Sequence, residues 1–280
     1  MFSFVNDEYL KEASISVFDI GLSRGFGAFD FLRTYLGKPF QLKAHLRRLR
    51  HSAKKLGLCV HKTDEEIEKI VIKLMELNQL TEANVKFLVT GGKSSDHLMP
   101  GNQPSLIVMA YPLLRPPKEW YEQGVSVTTF MAERFLPDCK SLNYTLAIVA
   151  LQQAKKVGAI EALYVNRQQH VLEGTTSNFF LFSQGVLVTP EEEILAGITR
   201  HVVLDLAKDL FPVERRKISL SELLTCEEAF ITASNKEIVP VVKIDQNRVG
   251  SGLLGENTKI IMETFRSYTK ANAWHDIDWQ

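Results

Sequence analysis

The sequence carries no net charge, since its 280 residues include 33 basic and 33 acidic side chains. A chain held to nucleic acid or to an acidic membrane by bulk electrostatics would carry an excess of basic residues. We therefore expect no nucleic-acid partner and no membrane partner. A neutral surface favours small molecules as ligands.

Long apolar runs are also missing, and cysteine is scarce. No unbroken apolar stretch approaches the roughly 20 residues that span a bilayer, and the first residues lack the basic start and apolar run of a secretory signal. Cys59, Cys139 and Cys226 are odd in number and widely spaced, which fits neither a disulfide framework nor a zinc site. We expect no metal site, and we expect a cytoplasmic, reducing location.

The composition present is that of a globular chain, with 45% hydrophobic and 24% charged residues. A chain of this length can bury a substantial core in one large or two modest domains. The segment 113–118 is stiffened by two prolines and reads as an extended linker. We predict domains at residues 1–115 and 121–280, with a linker at 116–120.

Several patterns predict secondary structure in the first domain. Thr63 with Glu66 forms a capping box that opens a helix, and the alternation at 13–18 predicts a strand. A further helix is predicted from apolar residues spaced three and four apart, which are Leu42, Leu46, Leu49, Ala53 and Leu56.

Residues 29–35 read as a strand whose alternate side chains share one face. Arg33 lies on that face with Phe29 and could bind a substrate carboxylate, although a surface arginine is equally compatible with the pattern. The polar loop at 91–100 contains His97 but no arginine. A solvent-exposed histidine is the commoner explanation for His97.

Three features downstream carry the chemistry. Lys140 precedes an apolar segment in which burial can make an amine nucleophilic, Glu173 precedes a glycine, and Gly197 opens a helix whose free N–H groups can seat a phosphate. Taken singly, each has a plain alternative: a surface lysine, a turn-capping glutamate, and Thr199 as an ordinary N-cap.

The order and wording of the motifs resemble the class IV aminotransferases, which are pyridoxal-phosphate enzymes of fold type IV. The resemblance rests on seven stretches: Asp-x-Gly-x-x-Arg-Gly-x-Gly at 19–27, His-Leu-x-Arg-Leu at 45–49, Lys-Ser-Leu-Asn-Tyr at 140–144, Glu-Gly-x-x-Ser-Asn at 173–178, Gly-Ile-Thr-Arg at 197–200, Phe-Ile-Thr-Ala-Ser at 230–234, and Glu-Ile-Val-Pro-Val at 237–241. It implies an α/β (α+β) fold of two domains, a small N-terminal α/β domain and a larger C-terminal α/β pseudo-barrel domain that binds the cofactor. It also implies a homodimer.

The resemblance further implies roles for individual residues. Lys140 would bind the cofactor aldehyde and move the substrate proton, and Glu173 would face the ring nitrogen. The full cofactor set is Arg48, Lys140, Tyr144, Glu173, Ser177, Asn178, Ile198, Thr199 and Ser234, and the substrate set is Phe29, Arg33, His97 and Asn235. Asp30 stands where family members usually carry glutamate.

The leading hypothesis is an aminotransferase that passes an amino group from an amino acid to a 2-oxo acid, of the D-amino acid or branched-chain type. The lack of arginine in the 91–100 loop weakens a strict D-amino acid assignment. An alternative reaction is that of 4-amino-4-deoxychorismate lyase, which releases pyruvate and 4-aminobenzoate from the same site. A catalytically silent binding protein is the third hypothesis.

Overall fold

The computed structural model describes residues 1–271, which divide into two compact units. The first contains Met1–Leu114, Cys139–Tyr144 and the chain from Thr269, and the second contains Arg115–Asp138 and Thr145–Tyr268. The segment with Lys140 thus belongs to the first unit. The domain limits inferred from sequence remain a prediction, and residues 272–280 lie outside the described residues.

The first unit is built on a six-stranded sheet, which alternating apolar residues form by burying one face. Its strands are β1 (Ser3–Val5), β2 (Glu8–Leu10), β3 (Gly27–Tyr35), β4 (Lys38–Pro39), β5 (Ala83–Thr90) and β6 (Ser105–Pro112). They lie in the order β2-β1-β6-β5-β3-β4, and all their pairings are antiparallel.

Three helices complete this unit, α1 (Ile20–Arg24), α2 (Leu42–Lys55) and α3 (Asp64–Leu77). The predicted capping box is present at α3, where Thr63 Oγ1 accepts from Glu66 N–H. The apolar face of α2 is confirmed, because Leu46 and Leu49 are fully buried. Both helices share one hydrophobic core with Ala28 and other side chains from a single face of the sheet.

The strand predicted at 13–18 is wrong, because this segment forms an irregular loop and a turn. Val17 and Phe18 are exposed. Asp19 then caps α1, since its Oδ1 accepts from the Gly21 N–H at 2.7 Å. The alternation in the sequence reflected no buried face.

The second unit contains a ten-stranded sheet of mixed direction. Its strands are β7 (Val125–Met131), β8 (Glu161–Val165), β9 (His170–Gly174), β10 (Asn178–Ser183), β11 (Val186–Thr189), β12 (Val213–Arg215), β13 (Ile218–Ser219), β14 (Glu228–Ala233), β15 (Glu237–Ile244) and β16 (Asn247–Arg248). The order is β12-β11-β10-β14-β15-β7-β8-β9-β13, with β16 paired to β15.

Apolar side chains from most of these strands gather into one core, as a pseudo-barrel requires. The helices of this unit are α4 (Glu119–Glu122), α5 (Thr145–Lys156), α6 (Ile198–Ala207), α7 (Leu220–Leu223) and α8 (Glu256–Ala271), of which the part up to Tyr268 belongs to this unit. Alanines of α5 pack closely on β8. Among residues 1–271, none of the helices has the length and apolar character needed to span a bilayer.

Candidate active site

Lys140 lies in a short segment whose backbone is fixed within the first unit. The Lys140 N–H donates to Ser52 Oγ on α2 at 3.0 Å, and the Lys140 carbonyl accepts from the Phe29 N–H on β3 at 2.9 Å. The Leu142 N–H donates to the Gly27 carbonyl at 2.8 Å. Because the segment is held on both sides, α2 and β3 together set the position of the lysine.

The Lys140 side chain is half-buried beside an aromatic pair. Its Nζ lies 4.5 Å from the centroid of the Phe29 ring, and the Phe29 and Tyr144 rings meet edge to face with centroids 5.3 Å apart. An ammonium over a ring face is favoured electrostatically. Three residues that the sequence singled out therefore meet in this unit.

Arg48 is held by a buried carboxylate on β3. Its Nε donates to Asp30 Oδ2 at 2.8 Å and its Nη2 to Asp30 Oδ1 at 2.9 Å, while His45 Nδ1 lies 2.7 Å from Asp30 Oδ1. The arginine and the histidine come from neighbouring turns of α2. Contact of Arg48 with a phosphate remains a prediction.

The electrostatics of this cluster follow from burial and pairing. Burial raises the pKa of Asp30, but Arg48 and His45 outweigh burial and bring the pKa below its ordinary value. Burial lowers the pKa of His45, and the positive charge of Lys140 lowers it further. The Asp30 carboxylate raises the pKa but does not outweigh burial. His45 is therefore neutral at pH 7, and Arg48 is the cation that balances Asp30.

Glu173, the predicted partner of the ring nitrogen, is buried on β9 and fixed by four N–H donors. Arg134 Nε and Nη2 both contact Oε1, at 2.9 and 2.7 Å. Oε2 accepts from Asn178 Nδ2 at 3.3 Å and from the Leu195 N–H at 3.0 Å. The carboxylate is thus held in one orientation by an ion pair on one oxygen and by neutral donors on the other.

Asn178 links Glu173 to the start of α6. Its Nδ2 also donates to the Leu195 carbonyl at 2.8 Å, and its Oδ1 lies 1.8 Å from where a Cβ on Gly197 would be. Only glycine permits this approach. The structure therefore brings together Glu173, Asn178 and the turn before α6, which the sequence had related only by resemblance.

The first turn of α6 has the properties of an anion-binding site. Gly197 is the N-cap residue, and no side chain caps the helix within the described part of the chain. The first N–H groups of a helix have no intrahelical acceptor and lie at the positive end of its dipole. Ile198 and Thr199 are buried at this position, so their N–H groups suit a phosphate.

Ser177 belongs to a second buried network, centred on Glu161 of β8. Glu161 Oε2 accepts from Ser177 Oγ at 3.0 Å and from Thr176 Oγ1 at 2.6 Å. Lys236 Nζ lies 3.1 Å from the same oxygen, and Thr175 Oγ1 donates to the other oxygen of this carboxylate. Burial raises the pKa of Glu161, but Lys236 and the hydroxyl donors outweigh it and lower the pKa. The network ties the turn at 175–177 to the turn that contains Lys236.

The remaining predicted residues lie on turns, loops and strand faces. Ser234 and Asn235 form the turn between β14 and β15, next to Lys236. His97 is exposed, and its ring centroid lies 5.4 Å from that of Phe18. Arg33 is buried on β3 with its guanidinium 4.3 Å from the centroid of the Tyr35 ring. Binding of a substrate by Arg33, His97 and Asn235 remains a prediction.

Sequence reasoning assigned no contact to four residues that anchor predicted site residues: Asp30 and His45 beside Arg48, Arg134 beside Glu173, and Glu161 beside Ser177. His45 stands in the quoted His-Leu-x-Arg motif, which was the available signal for its role. Arg134 and Glu161 gave no signal, because their partners lie far away in the chain. No group of three or more metal-binding side chains is found among the described residues.

Comparison with known proteins places these features in a family. The family model described as amino-transferase class IV matches residues 27–244. A putative branched-chain-amino-acid aminotransferase of Methanocaldococcus jannaschii is 36% identical over 275 residues, which cover 94% of each chain. A D-alanine aminotransferase of Staphylococcus epidermidis is 32% identical over 278 residues, covering 96% of this chain and 98% of that one.

Solved structures extend the similarity to the fold and the cofactor. The branched-chain amino acid aminotransferase of Escherichia coli superposes with a TM-score of 0.92 at 26% identity, covering 99% of this chain and 98% of that one. A second branched-chain amino acid aminotransferase, solved with pyridoxamine 5'-phosphate, has a TM-score of 0.89 at 27% identity, with 96% and 94% covered. These matches confirm the two-domain fold of type IV. They do not favour the lyase alternative.

Proposed function

This chain belongs to the class IV aminotransferases and is an enzyme that uses pyridoxal phosphate to transfer amino groups, and we propose that it passes the amino group of a D-amino acid or a branched-chain amino acid to a 2-oxo acid. The names of its relatives support both donor types, since the two quoted above differ in substrate and are similarly close. The observation that carries the proposal is the Lys140 amine, which is fixed by α2 and β3 and lies 4.5 Å from the Phe29 ring centroid.

The donor set in the structure fits pyridoxal phosphate. A half-buried amine suits its aldehyde, an anchored carboxylate suits its ring nitrogen, and an uncapped helix start suits its phosphate. In this proposal Lys140 binds the aldehyde, Glu173 faces the ring nitrogen, and Ile198, Thr199 and Ser234 hold the phosphate. Bound pyridoxal phosphate supplies an electron sink for the substrate Cα.

Side chains of this protein would transfer the proton, orient Glu173 and limit access of water. Lys140 Nζ would take the proton from the substrate Cα and deliver one to C4′, the aldehyde carbon of the cofactor, as a general base and acid. Arg134 and Asn178 keep Glu173 in one orientation through the contacts described above. Phe29 and Tyr144 form an aromatic wall that limits access of water to the amine.

A half-reaction panel tests the function and selects the donor. The purified holoprotein is mixed with D-alanine, L-leucine or L-glutamate, and the visible absorbance of the bound cofactor is followed. We expect one donor class to bleach this absorbance and a 2-oxo acid to restore it. Lys140→Ala, which loses the general base, should slow the change by at least about 10²- to 10⁴-fold.

Two results would contradict this proposal. One is a holoprotein whose absorbance no amino acid changes. The other is a Lys140→Ala variant that reacts as fast as the parent. Release of pyruvate from aminodeoxychorismate without a 2-oxo acid acceptor would instead revive the lyase reaction.

We also propose a homodimer, supported by an exposed apolar surface in the first unit. Here the N-terminal apolar surface means the exposed side chains of Val17, Phe18, Leu22, Leu98 and Met99. Two hydrogen bonds join its two segments, from Ser94 N–H to the Phe18 carbonyl and from Ile20 N–H to the Gly92 carbonyl. Contiguous exposed apolar side chains mark interaction sites. Sedimentation velocity tests this proposal.

A cytoplasmic location is the final part of the proposal. Cys59 is exposed, and Cys139 and Cys226 are buried without a disulfide. Free thiols are typical of reducing compartments. Recovery of the native chain in a membrane or secreted fraction, rather than with cytoplasmic markers, would contradict this location.

A further inference from the structure

The hairpin between β14 and β15 reverses the chain within three residues, Ser234, Asn235 and Lys236. The turn is closed by a hydrogen bond from the Lys236 N–H to the Ala233 carbonyl at 3.0 Å. Glu237 then takes a left-handed conformation, with a φ of 59°. That conformation is unfavourable for residues other than glycine, and it persists only where surrounding contacts fix the backbone. Contacts from outside the hairpin are therefore needed to hold this turn.

Lys236 provides such contacts through both its backbone and its side chain. Its carbonyl accepts from the Tyr121 hydroxyl of α4 at 2.9 Å. Its Nζ donates to Glu161 Oε2 on β8 at 3.1 Å and to Thr176 Oγ1 at 2.6 Å. The Lys236 side chain is 12% exposed, and that of Glu161 is fully buried. One residue thus anchors the turn to a helix, to a strand and to a neighbouring turn.

The neighbouring turn supplies the hydroxyl groups that surround the Glu161 carboxylate. Thr175, Thr176 and Ser177 each donate to it through a side-chain hydroxyl. A hydroxyl has a single proton to donate, so the proton of Ser177 is already committed to Glu161. The Ser234 hydroxyl, in contrast, has no hydrogen-bond partner within residues 1–271, and it can donate to a ligand.

Stability alone explains this buried ion pair poorly. Two charges lose their hydration when they are buried, and an apolar pair of similar volume is often equally stable or more so. A fully satisfied polar network, however, holds its members in one arrangement. The members of this network lie on two turns, and one of these turns contains Ser234, which the proposed function assigns to the phosphate.

We propose that the ion pair of Glu161 with Lys236 positions the turn at 234–236 for the phosphate of the cofactor, which makes both of them positioning residues of this enzyme. The inference rests on the proposed function, because it assumes that Ser234 holds that phosphate. Neither member of the pair would contact the cofactor itself. Without the pair, the turn would adopt other arrangements, and the Ser234 hydroxyl would less often point toward the phosphate.

Two related ligands test the inference, pyridoxal phosphate and pyridoxal, which lacks the phosphate. The variant Glu161→Gln/Lys236→Met removes both charges together, so no unpaired charge stays buried and the variant should fold. Absorbance titration of the apoprotein gives the dissociation constant of each ligand. We expect this variant to bind pyridoxal phosphate about 10-fold more weakly and to bind pyridoxal as the parent does. A merely structural role would not distinguish the two ligands.

The matched control is an exposed ion pair in the same unit, which Asp205 and Lys208 form at the C-terminal end of α6. Asp205→Asn/Lys208→Met removes the same two charges and should leave both dissociation constants unchanged.

A double-mutant comparison with Ser234→Ala tests whether the ion pair acts through this hydroxyl. Ser234→Ala should weaken the binding of pyridoxal phosphate about 10-fold in the parent. In the Glu161→Gln/Lys236→Met background it should have little further effect, because the hydroxyl is no longer held in place.

The outcomes separate the inference from the proposed function. If Ser234→Ala weakens the binding of pyridoxal phosphate while Glu161→Gln/Lys236→Met binds it as tightly as the parent, the ion pair has no positioning role and the phosphate site stands. Equal losses for pyridoxal and pyridoxal phosphate would also overturn the inference, because they would reflect a general disruption of the second unit. A parent apoprotein that binds neither ligand contradicts the proposed function.

Discussion

Asp30 shows how a single buried carboxylate can organise a helix against a strand. It is fully buried, and both of its oxygens receive charged or polar donors from α2. Desolvation makes an isolated buried charge costly, whereas pairing with an arginine fork offsets that cost. The position of Arg48, and with it the helix face beside Lys140, therefore depends on this carboxylate.

Asp30→Asn should destabilise the protein in a pH-dependent way. The substitution removes the buried carboxylate that pairs with the Arg48 guanidinium, which costs about 3–5 kcal/mol in the free energy of unfolding near neutral pH. Because pairing lowers the folded pKa of Asp30, its contribution is complete above the unfolded pKa of about 4 and declines as the pH falls below that value.

Urea denaturation of the parent and of Asp30→Asn between pH 7 and pH 3 measures the contribution of Asp30 to the free energy of unfolding. The difference in free energy should be largest at pH 7 and shrink toward pH 3. Asp209→Asn, at an exposed aspartate, should cost no more than about 0.5 kcal/mol at any pH. A difference that grows on acidification would contradict the assigned role of Asp30.

At the scale of elements, the turn before α6 shows how one glycine can fix two binding groups. Gly197 allows Asn178 to approach, and Asn178 in turn donates to Glu173 Oε2 and to the Leu195 carbonyl. A methyl group at position 197 would displace the Asn178 side chain, so both hydrogen bonds would weaken together. The helix start and the carboxylate would then lose their common link.

Gly197→Ala should weaken the binding of pyridoxal phosphate by the apoprotein about 10-fold, the equivalent of one or two hydrogen bonds. Absorbance titration of the apoprotein gives the dissociation constant. In the Asn178→Ala background the same glycine substitution should cost little, because the atom that it would strike has been removed. Equal costs in both backgrounds would show that the glycine acts independently of Asn178.

At the scale of the whole molecule, the N-terminal apolar surface bears on assembly. Its five apolar side chains are each more than half exposed on two adjoining loops and α1, and apolar side chains exposed together mark interaction sites. A second copy of the chain would bury them and so gain hydrophobic stabilisation. The same loops carry His97, so assembly would also change the surroundings of that residue.

The double variant Leu22→Asp/Met99→Asp should convert the proposed dimer to monomers, since burying two carboxylates in an apolar interface is costly. Sedimentation velocity should give about twice 31.7 kDa for the parent and 31.7 kDa for the variant. Ile72→Asp is the control, because Ile72 is an exposed apolar residue on α3. A monomeric parent, or a variant that stays dimeric, would contradict the proposed interface.

The sequence by itself determined the features that are local or carried by motifs. The spacing of Leu46, Leu49 and their neighbours specified α2, and the Thr63 capping box specified the start of α3. Motif order also identified the family and its cofactor. These features are readable because each depends on residues within a few turns of one another.

Only the tertiary structure decided which distant residues meet. Three pairs have partners 18 to 75 residues apart in the chain: Arg134 with Glu173, Glu161 with Lys236, and Asp30 with Arg48. The alternation at 13–18 predicted a strand, but this segment pairs with no sheet and forms a loop. Long-range pairing depends on chain topology and desolvation, and neither leaves a periodic or local signal in the sequence.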